Sequence, residues 1–485
     1  MNTTTVYLKK SDPVMQYLTA NMAGSRAVRN SANFLIRNVF TALGKDESLR
    51  TANENTVLIK AKACIKEANL RREAAHIKKI AKGEKSELKY MRIPDEKHRV
   101  LSYEQIDAIL KISEDEAYFS CTSQVNQQAI RKTCKSWRSY FGAIKEWKKN
   151  PSKFTGMPRF PGYKREKLVT AHFTSQVSSF SDEGDCASIS FANYKGTVNL
   201  GAIPVLGKYV KTEVSPCASG CKLLLTFDND EIMPEAPEHP ERILAVDPGV
   251  SNLATCTSNT GMIPFIVDGR YIKSVNRYYN KEKARLVSIL TAGKDPKDRK
   301  VQRTSNRIEM LSEKREKIIR DYFYKAAHCI CRKAKAENIQ VIVFGHIPKS
   351  KQECNIGHVN NQNFVQIPHA RFLKTLTWIA AKYDIAVISV DESYTSKADF
   401  FANDTMPECY EPGKEHAFSG KRVKRGLYVS STGRIINADV NGSANILRKK
   451  YPYAFNACNT DNLLSVEKIG YRNLYPVVRK EKPVA

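Results

Sequence analysis

Asp247 closes a run of small and apolar residues, "ILAVDPGVSNLATC" (243–256), and a Pro-Gly corner follows it at once. Asp439 stands far downstream in "INADVNGSANILRKKY", where a polar stretch opens a helix. Metal-dependent phosphodiester hydrolysis needs such a pair. Carboxylates from distant parts of a chain hold two divalent ions roughly 3.5–4 Å apart, which activate water and steady the leaving oxygen. Each residue also has a plainer role open to it. Asp-Pro-Gly is ordinary turn chemistry, and Asp at the head of a helix is a common N-cap. Gly249 could serve the turn or let a phosphate approach the backbone. Read singly, neither acid decides between the two.

The order of elements joins them. From residue 241 onward the patterning predicts an α/β domain. The strand at 243–247 is followed by "GMIPFIVDGRYI", which reads as two antiparallel strands, and then by a charged helix over 304–337. A strand at 339–345, the helix "PHARFLKTLTWIAAKYD", a strand at 385–392, a basic Gly-containing insertion and a final helix complete the domain. This succession, with mixed strand pairing, is that of an RNase H-like fold. It places both acids at one end of one sheet, outside the strand ends, where open α/β sheets keep their chemistry.

Upstream, residues 11–150 are rich in helix formers and sparse in Gly and Pro, as in a helical domain. Its last stretch, "IRKTCKSWRSYFGAIKEWKKNPSKFTGMPRFPGYKRE", interleaves basic and aromatic residues. Trp137 and Phe141 suit the core face of a helix. Trp137 is nonetheless kept with Arg138, Tyr140, Lys148, Lys149, Arg159 and Lys164 as the set expected to meet nucleic-acid backbone and unstacked bases. From about 165 to 235, short β-like runs ("TAHFTSQVSSF", "ASISF", "KLLLTF") predict a small barrel or sandwich. "MPEAPEHPER" is then a Pro-rich linker.

The 485 residues are enough for two or more domains, and a hydrophobic fraction of 42% suits a folded protein. No run of eighteen apolar residues could span a membrane, and "MNTTTVYLKKSDPV" lacks the apolar core of a secretory signal. A cytoplasmic protein without a membrane partner is expected. Lys+Arg exceeds Asp+Glu by 78 to 50, a net charge of +28 spread along the chain, which calls for a polyanionic partner. The twelve cysteines include no CxxC pair and read as plain thiols.

"AVDPGVSNLAT", "ESYTSKADF", "SGKRVKRGLY" and "INADVNGSANILRK" together resemble the RuvC nuclease domain of the transposon-encoded TnpB proteins, ancestral to the miniature type V CRISPR effectors. "SWRSYFGAIKEWKKNPSKFTGMPRFPGYK" is similar to the segment before that family's β-rich domain, so the likeness covers roughly 125–450. The resemblance implies a multidomain α+β chain with an N-terminal helical recognition domain (11–150), a β-barrel wedge domain (1–10 as its first strand, then 151–240) and an RNase H-like (RuvC) α/β nuclease domain. The nuclease domain would run over 241–396 and 437–450, interrupted by a target-nucleic-acid-binding insertion at 397–436 and followed by a tail at 451–485. The implied activity is RNA-guided, Mg²⁺-dependent cutting of DNA beside a short adjacent motif, with guide RNA and double- and single-stranded target DNA as partners.

Two departures from the family pattern matter. Relatives commonly carry a CxxC…CxxC zinc finger in the insertion. Here 397–436 offers only Cys409 and His416, so no zinc is expected, and "SGKRVKRGLYVSSTGRIIN" is read as a metal-free basic hairpin bringing Lys421, Arg422, Lys424 and Arg425 to the target strand. The usual catalytic glutamate ends the middle strand, yet "QVIVFGHIP" has Gly345 there, with His346 beside it. Glu353, Asp391 and Glu392 are the acids near enough to stand in. Glu353 follows a loop that would fix it poorly. Asp391 and Glu392 end the neighbouring strand, and strand alternation lets at most one face the site. Glu has the longer reach, the missing side chain at Gly345 leaves a path open, and relatives without the usual glutamate carry one in the matching "ESYTSK" motif. Asp247, Glu392 and Asp439 are therefore the expected catalytic and metal-binding set.

A nuclease-dead, RNA-guided DNA-binding protein is the runner-up, favoured by the missing glutamate. An actin-like or sugar-kinase ATPase also begins with a strand ending on Asp near Gly, but it needs a second Asp-Gly phosphate loop and leaves the charge unexplained. The guide, the adjacent motif, the choice between transposon and CRISPR origin, and that between monomer and homodimer are not legible.

Overall fold

The computed structural model describes residues 2–474 apart from 185, 204–206, 229–232, 296–302, 347–366, 412 and 425. The chain divides into two units, Met1–Asp230 and Glu231–Ala485. Glu353 and Arg425 lie outside the described residues.

Helices dominate the start of the first unit: β1 (Asn2–Lys9), then α1 (Met15–Ala42), α2 (Ala52–Ala81), α3 (Tyr103–Ile112), α4 (Glu116–Phe119) and α5 (Ser123–Lys149). Local chemistry starts two of them. Thr51 with Glu54, and Ser102 with Gln105, form complete capping boxes, which satisfy backbone N–H groups that the first helical turn leaves without partners. The helices then bury one shared face, including Ile36, Ile65, Ile109, Ile130 and Trp137.

Antiparallel strands β2 (Ala171–Thr174), β3 (Ser178–Asp182), β4 (Ala187–Phe191), β5 (Thr197–Gly201), β6 (Lys208–Cys217) and β7 (Gly220–Asp228) follow. Among the described residues they do not make the expected β-barrel. The sheets are β1-β7-β6-β2 and β3-β4-β5, and each has two open edges. Closure needs enough tilted, staggered strands to return on themselves. Here β2 ends after four residues, and the chain goes on into a separate three-stranded sheet. The two sheets share a core through Phe173, Phe191, Leu223 and Phe227.

The second unit runs β8 (Ile243–Pro248), β9 (Asn252–Ser258), β10 (Phe265–Asp268), α6 (Arg270–Thr291), α7 (Asn306–Ala336), β11 (Val341–Gly345), α8 (His369–Ala381), β12 (Ala386–Val390), β13 (Lys421–Lys424), β14 (Leu427–Val429), β15 (Ile435–Ile436), α9 (Ala438–Lys450) and β16 (Glu467–Ile469). The main sheet has the order β12-β11-β8-β9-β10-β16. β8, β11 and β12 are parallel, with Val246 opposite Phe344 and Gly345 opposite Val390. Both faces of β8 are covered, which is why its sequence is continuously apolar instead of alternating. Leu244 and Val246 pack with Phe323, Phe344 and Phe372 on one side, and Ile243 and Ala245 with Val343, Ile446 and Leu447 on the other.

"GMIPFIVDGRYI" holds one strand rather than two. After β10 the chain turns at Gly269, where a Cβ would lie 2.4 Å from Val250 O, and continues as α6. The helical spacing of Ile272, Asn276 and Leu286 on its buried face outweighs the short β-like signal of Tyr271 and Ile272. Among the described residues, no helix is long and apolar enough to cross a membrane.

Candidate active site

β8 delivers Asp247 to the sheet's end opposite Thr255 of β9. The Asp-Pro-Gly corner is a tight connection in its own right. Gly249 N donates to Leu253 O at 3.2 Å, and a Cβ on Gly249 would lie 2.4 Å from Asn252 O. The glycine is therefore required by the turn's own backbone, and the expectation that it admits a phosphate is not needed to explain it.

α9 supplies the second acid. Asn437, not Asp439, is its N-cap, accepting from the N–H groups of Asp439 and Val440. Asp439 lies in the first turn with its side chain free for other work, and the helix dipole there favours a carboxylate. One turn on, Gly442 lets α9 press against the strand end: a Cβ there would be 2.9 Å from Asp247 Oδ2. Ser443 Oγ donates to Thr255 O at 3.0 Å and fixes the same contact. Asn252 Nδ2 donates to Asp439 Oδ2 at 2.6 Å, and Arg422 Nη2 of β13 is 3.5 Å from Asp439 Oδ1.

Glu392 lies just beyond β12 and turns toward Gly345. A Cβ on Gly345 would lie 2.8 Å from Glu392 Oε2, which is buried and has no hydrogen-bond partner. Burial, and then Asp391, pushes the Glu392 carboxyl up to about 7. Asp391 points elsewhere, accepting from Ser393 N at 2.8 Å with Lys449 Nζ 4.0 Å away. Burial, then Glu392, then Asp439 hold Asp247 well above the usual carboxylate range, with Arg422 opposing them. Asp247 thus feels the charge of both Glu392 and Asp439.

A cavity of about 580 Å³ opens over Asp247, Asn252 and Asp439, walled by Arg270, Lys273 and Arg422. Asp247 and Asp439 line this cavity and Glu392 does not; carboxylate oxygens of this kind suit a hard divalent cation, which prefers oxygen ligands and keeps several waters. Among the described residues, no three His, Cys, Asp or Glu side chains form a ready-made ligand cluster. Sequence reading missed Asn252, Arg270 and Lys273. Two basic residues in the first turn of α6, against the helix dipole, were the available signal for the last two.

The basic residues divide. Lys421, Arg422 and Lys424 are exposed on β13. Arg138, Lys148, Lys149, Arg159 and Lys164 are exposed in the first unit. Arg159, Lys164 and Tyr140 line a groove of about 710 Å³ with Arg29, Lys132 and Lys135. Trp137 is a correction. It is 1% exposed, packs against Phe40, Phe141 and Phe160, and donates its indole N–H to Asn33 Oδ1 at 2.8 Å, so it cannot stack on a base. In the insertion, Cys409 is exposed, while His416 Nε2 pairs with Glu411 Oε2 at 3.0 Å.

Residues 213–351 match the family described as OrfB_IS605, probable transposase, and residues 369–446 match the Cas12f1-like TNB domain. No curated protein matches the chain. A Cas12f1–sgRNA–target DNA complex aligns at 13% identity over 80% of each chain, with a TM-score of 0.42. A CRISPR-Cas12f ternary complex aligns at 13% over 81% of each, at 0.32. Alicyclobacillus acidoterrestris C2c1 with single-guide RNA aligns at 9% over 74% of this chain and 64% of that one, at 0.31. Scores this low carry no fold assignment.

Proposed function

We propose that this chain, TnpB-like and akin to the miniature type V effectors by its two family matches, is an RNA-guided endonuclease that cuts DNA beside a short adjacent motif. Asp247, Glu392 and Asp439 are its metal-binding acids. The observation that carries this reading is Glu392 occupying the space beside Gly345, which supplies a third carboxylate where the middle strand has no side chain.

Two Mg²⁺ ions, when bound, would lower the pKa of an attacking water and offset charge on the leaving oxygen. The chain's own residues do the rest. Asn252 and the first turn of α9 orient Asp439, and Gly442 lets Asp247 lie against the same helix. Arg422, Arg270 and Lys273 give the cavity a cationic wall suited to a phosphodiester backbone. The first-unit groove and the net charge of +28 supply sequence-independent affinity, leaving guide pairing to choose the target. An RNA-guided DNA-binding protein without cleavage is the second reading, favoured by the lack of a ready-made three-ligand cluster among the described residues.

Gentle purification at low salt should recover a discrete RNA, whose sequence then specifies a DNA target. Wild type with Mg²⁺ should cut that target, and Asp247→Ala or Asp439→Ala should bind it without cutting. No discrete RNA, or an alanine variant cutting at the wild-type rate, would overturn the reading.

A further inference from the structure

The insertion between Glu392 and α9 contains a carboxylate with no part in the chemistry above. Asp399 is 0% exposed, and both of its oxygens are filled. Oδ2 accepts from Ser430 Oγ at 2.8 Å, Ser431 N at 2.8 Å, Ser431 Oγ at 3.1 Å and Ser419 Oγ at 3.5 Å. Oδ1 accepts from Phe401 N at 3.1 Å and Ala402 N at 3.4 Å. Asp404 extends the knot, accepting from Asp399 N at 2.8 Å and from Ser419 N and Oγ at 2.9 and 2.6 Å. A buried charge is tolerated only when it is this fully hydrogen-bonded, and removing part of such a network leaves the rest unsatisfied.

The donors have a telling placement. Ser419 precedes β13, and Ser430 and Ser431 follow β14, so one carboxylate ties both ends of the β13–β14 hairpin. Gly420 admits the close passage: a Cβ there would lie 2.8 Å from Asp399 Oδ2 and 2.6 Å from Tyr428. Tyr428 Oη donates to Lys397 O at 2.8 Å and fixes the hairpin from its inner face. Asp399's own segment is clamped to α9, where Asn441 and Asn445 both donate to Ala398 O, at 2.8 and 2.7 Å. Asp399 therefore links the hairpin carrying Arg422 to the helix carrying Asp439.

We propose that Asp399 is a positioning residue that sets the β13–β14 hairpin so that Arg422 faces Asp439 across the carboxylate cavity. The proposal rests on reading that cavity as the nuclease site. Asp399 touches neither metal nor substrate and acts through Arg422.

The test compares the full chain with its co-purified RNA as wild type, Asp399→Asn, Arg422→Ala and the double variant. Asn keeps the shape but turns an N–H₂ toward donors. Hydrogen exchange over 421–429 should rise about tenfold or more in Asp399→Asn while β8, β9 and β11 stay protected. Guided cleavage should slow by about tenfold with target affinity held, and the double variant should cut no more slowly than Arg422→Ala, the mark of residues acting as a unit. Ser431→Ala, which deletes one donor, should move both readouts the same way by less, and it carries the test if Asp399→Asn does not fold. Unchanged hairpin exchange in the folded variants, or slowing that multiplies in the double variant, would overturn the proposal. A wild type that never cuts rejects the nuclease reading separately, because hairpin exchange still decides whether Asp399 sets the hairpin.

Discussion

Gly345 and Glu392 occupy one space between them: a Cβ on the glycine would stand 2.8 Å from the glutamate's Oε2 and 3.3 Å from its Cβ. Glu392 follows β12, the strand beside β11, and uses room that Gly345 leaves open by having no side chain. Gly345→Ala should therefore displace Glu392 and also press on Ile446 Cδ1, 2.6 Å away. We expect a stability loss of about 1–3 kcal/mol by denaturant titration, as for other overpacked sites, and a marked fall in cleavage. Unimpaired cleavage would show that Glu392 does not depend on that space.

Asp391 is the built-in control. It is one residue away, yet it accepts from Ser393 N and faces Lys449, away from Gly345. Asp391→Asn should keep most guided cleavage. Because Asp391 is also the second cause of the raised Glu392 pKa, the variant's cleavage should reach its plateau at a slightly lower pH. A loss as deep as that of an Asp247 variant would give Asp391 a role the structure does not show.

Trp137→Ala should destabilise the helical part of the first unit by about 3–5 kcal/mol, the usual cost of emptying a large aromatic site. RNA binding per folded molecule should be unchanged, since the ring is buried. Thermal melting and a binding titration at matched folded fraction separate the two. Selective loss of RNA binding in a stable variant would return Trp137 to the interface.

The raised acids set a pH dependence. The folded-state pKa of Glu392, about 7, lies above its unfolded value, so the folded chain holds that proton more tightly. Without divalent ions its contribution is greatest below the unfolded pKa and is lost as pH rises toward 7. Asp247, also raised, acts in the same direction. Glu392→Gln should therefore melt higher than wild type at pH 8 in chelator, with the gap closing toward pH 4. Mg²⁺ at pH 8 should raise the wild-type Tm more than that of the variant. Equal Mg²⁺ shifts would take Glu392 out of the metal site.

Much of this was legible in the sequence, for physical reasons that differ by element. The apolar run ending at Asp247 and the parallel strands beside it read correctly because burial on both faces leaves an uninterrupted signal. That Glu392 stands beside Gly345 was legible because a glycine at a strand end is informative by what it lacks. Barrel closure was not, since strand count and hairpin signals say nothing about how sheets join. Asp399 was invisible for a similar reason. Its donors Ser419, Ser430 and Ser431 are 20 to 32 residues away, and nothing in their local composition marks them as convergent. Trp137 shows the converse error, in which a basic, aromatic segment hides a core position that helical spacing had already marked.

The most direct test is single-turnover cleavage of an RNA-matched DNA target in Mg²⁺ by wild type and Glu392→Gln, with target binding measured on the same samples. Wild type should cut, while Glu392→Gln should bind with near-wild-type affinity and cut at least about a thousandfold more slowly, on the scale seen when one member of a cooperating catalytic set is removed. A Glu392→Gln protein that cuts at the wild-type rate would contradict this expectation.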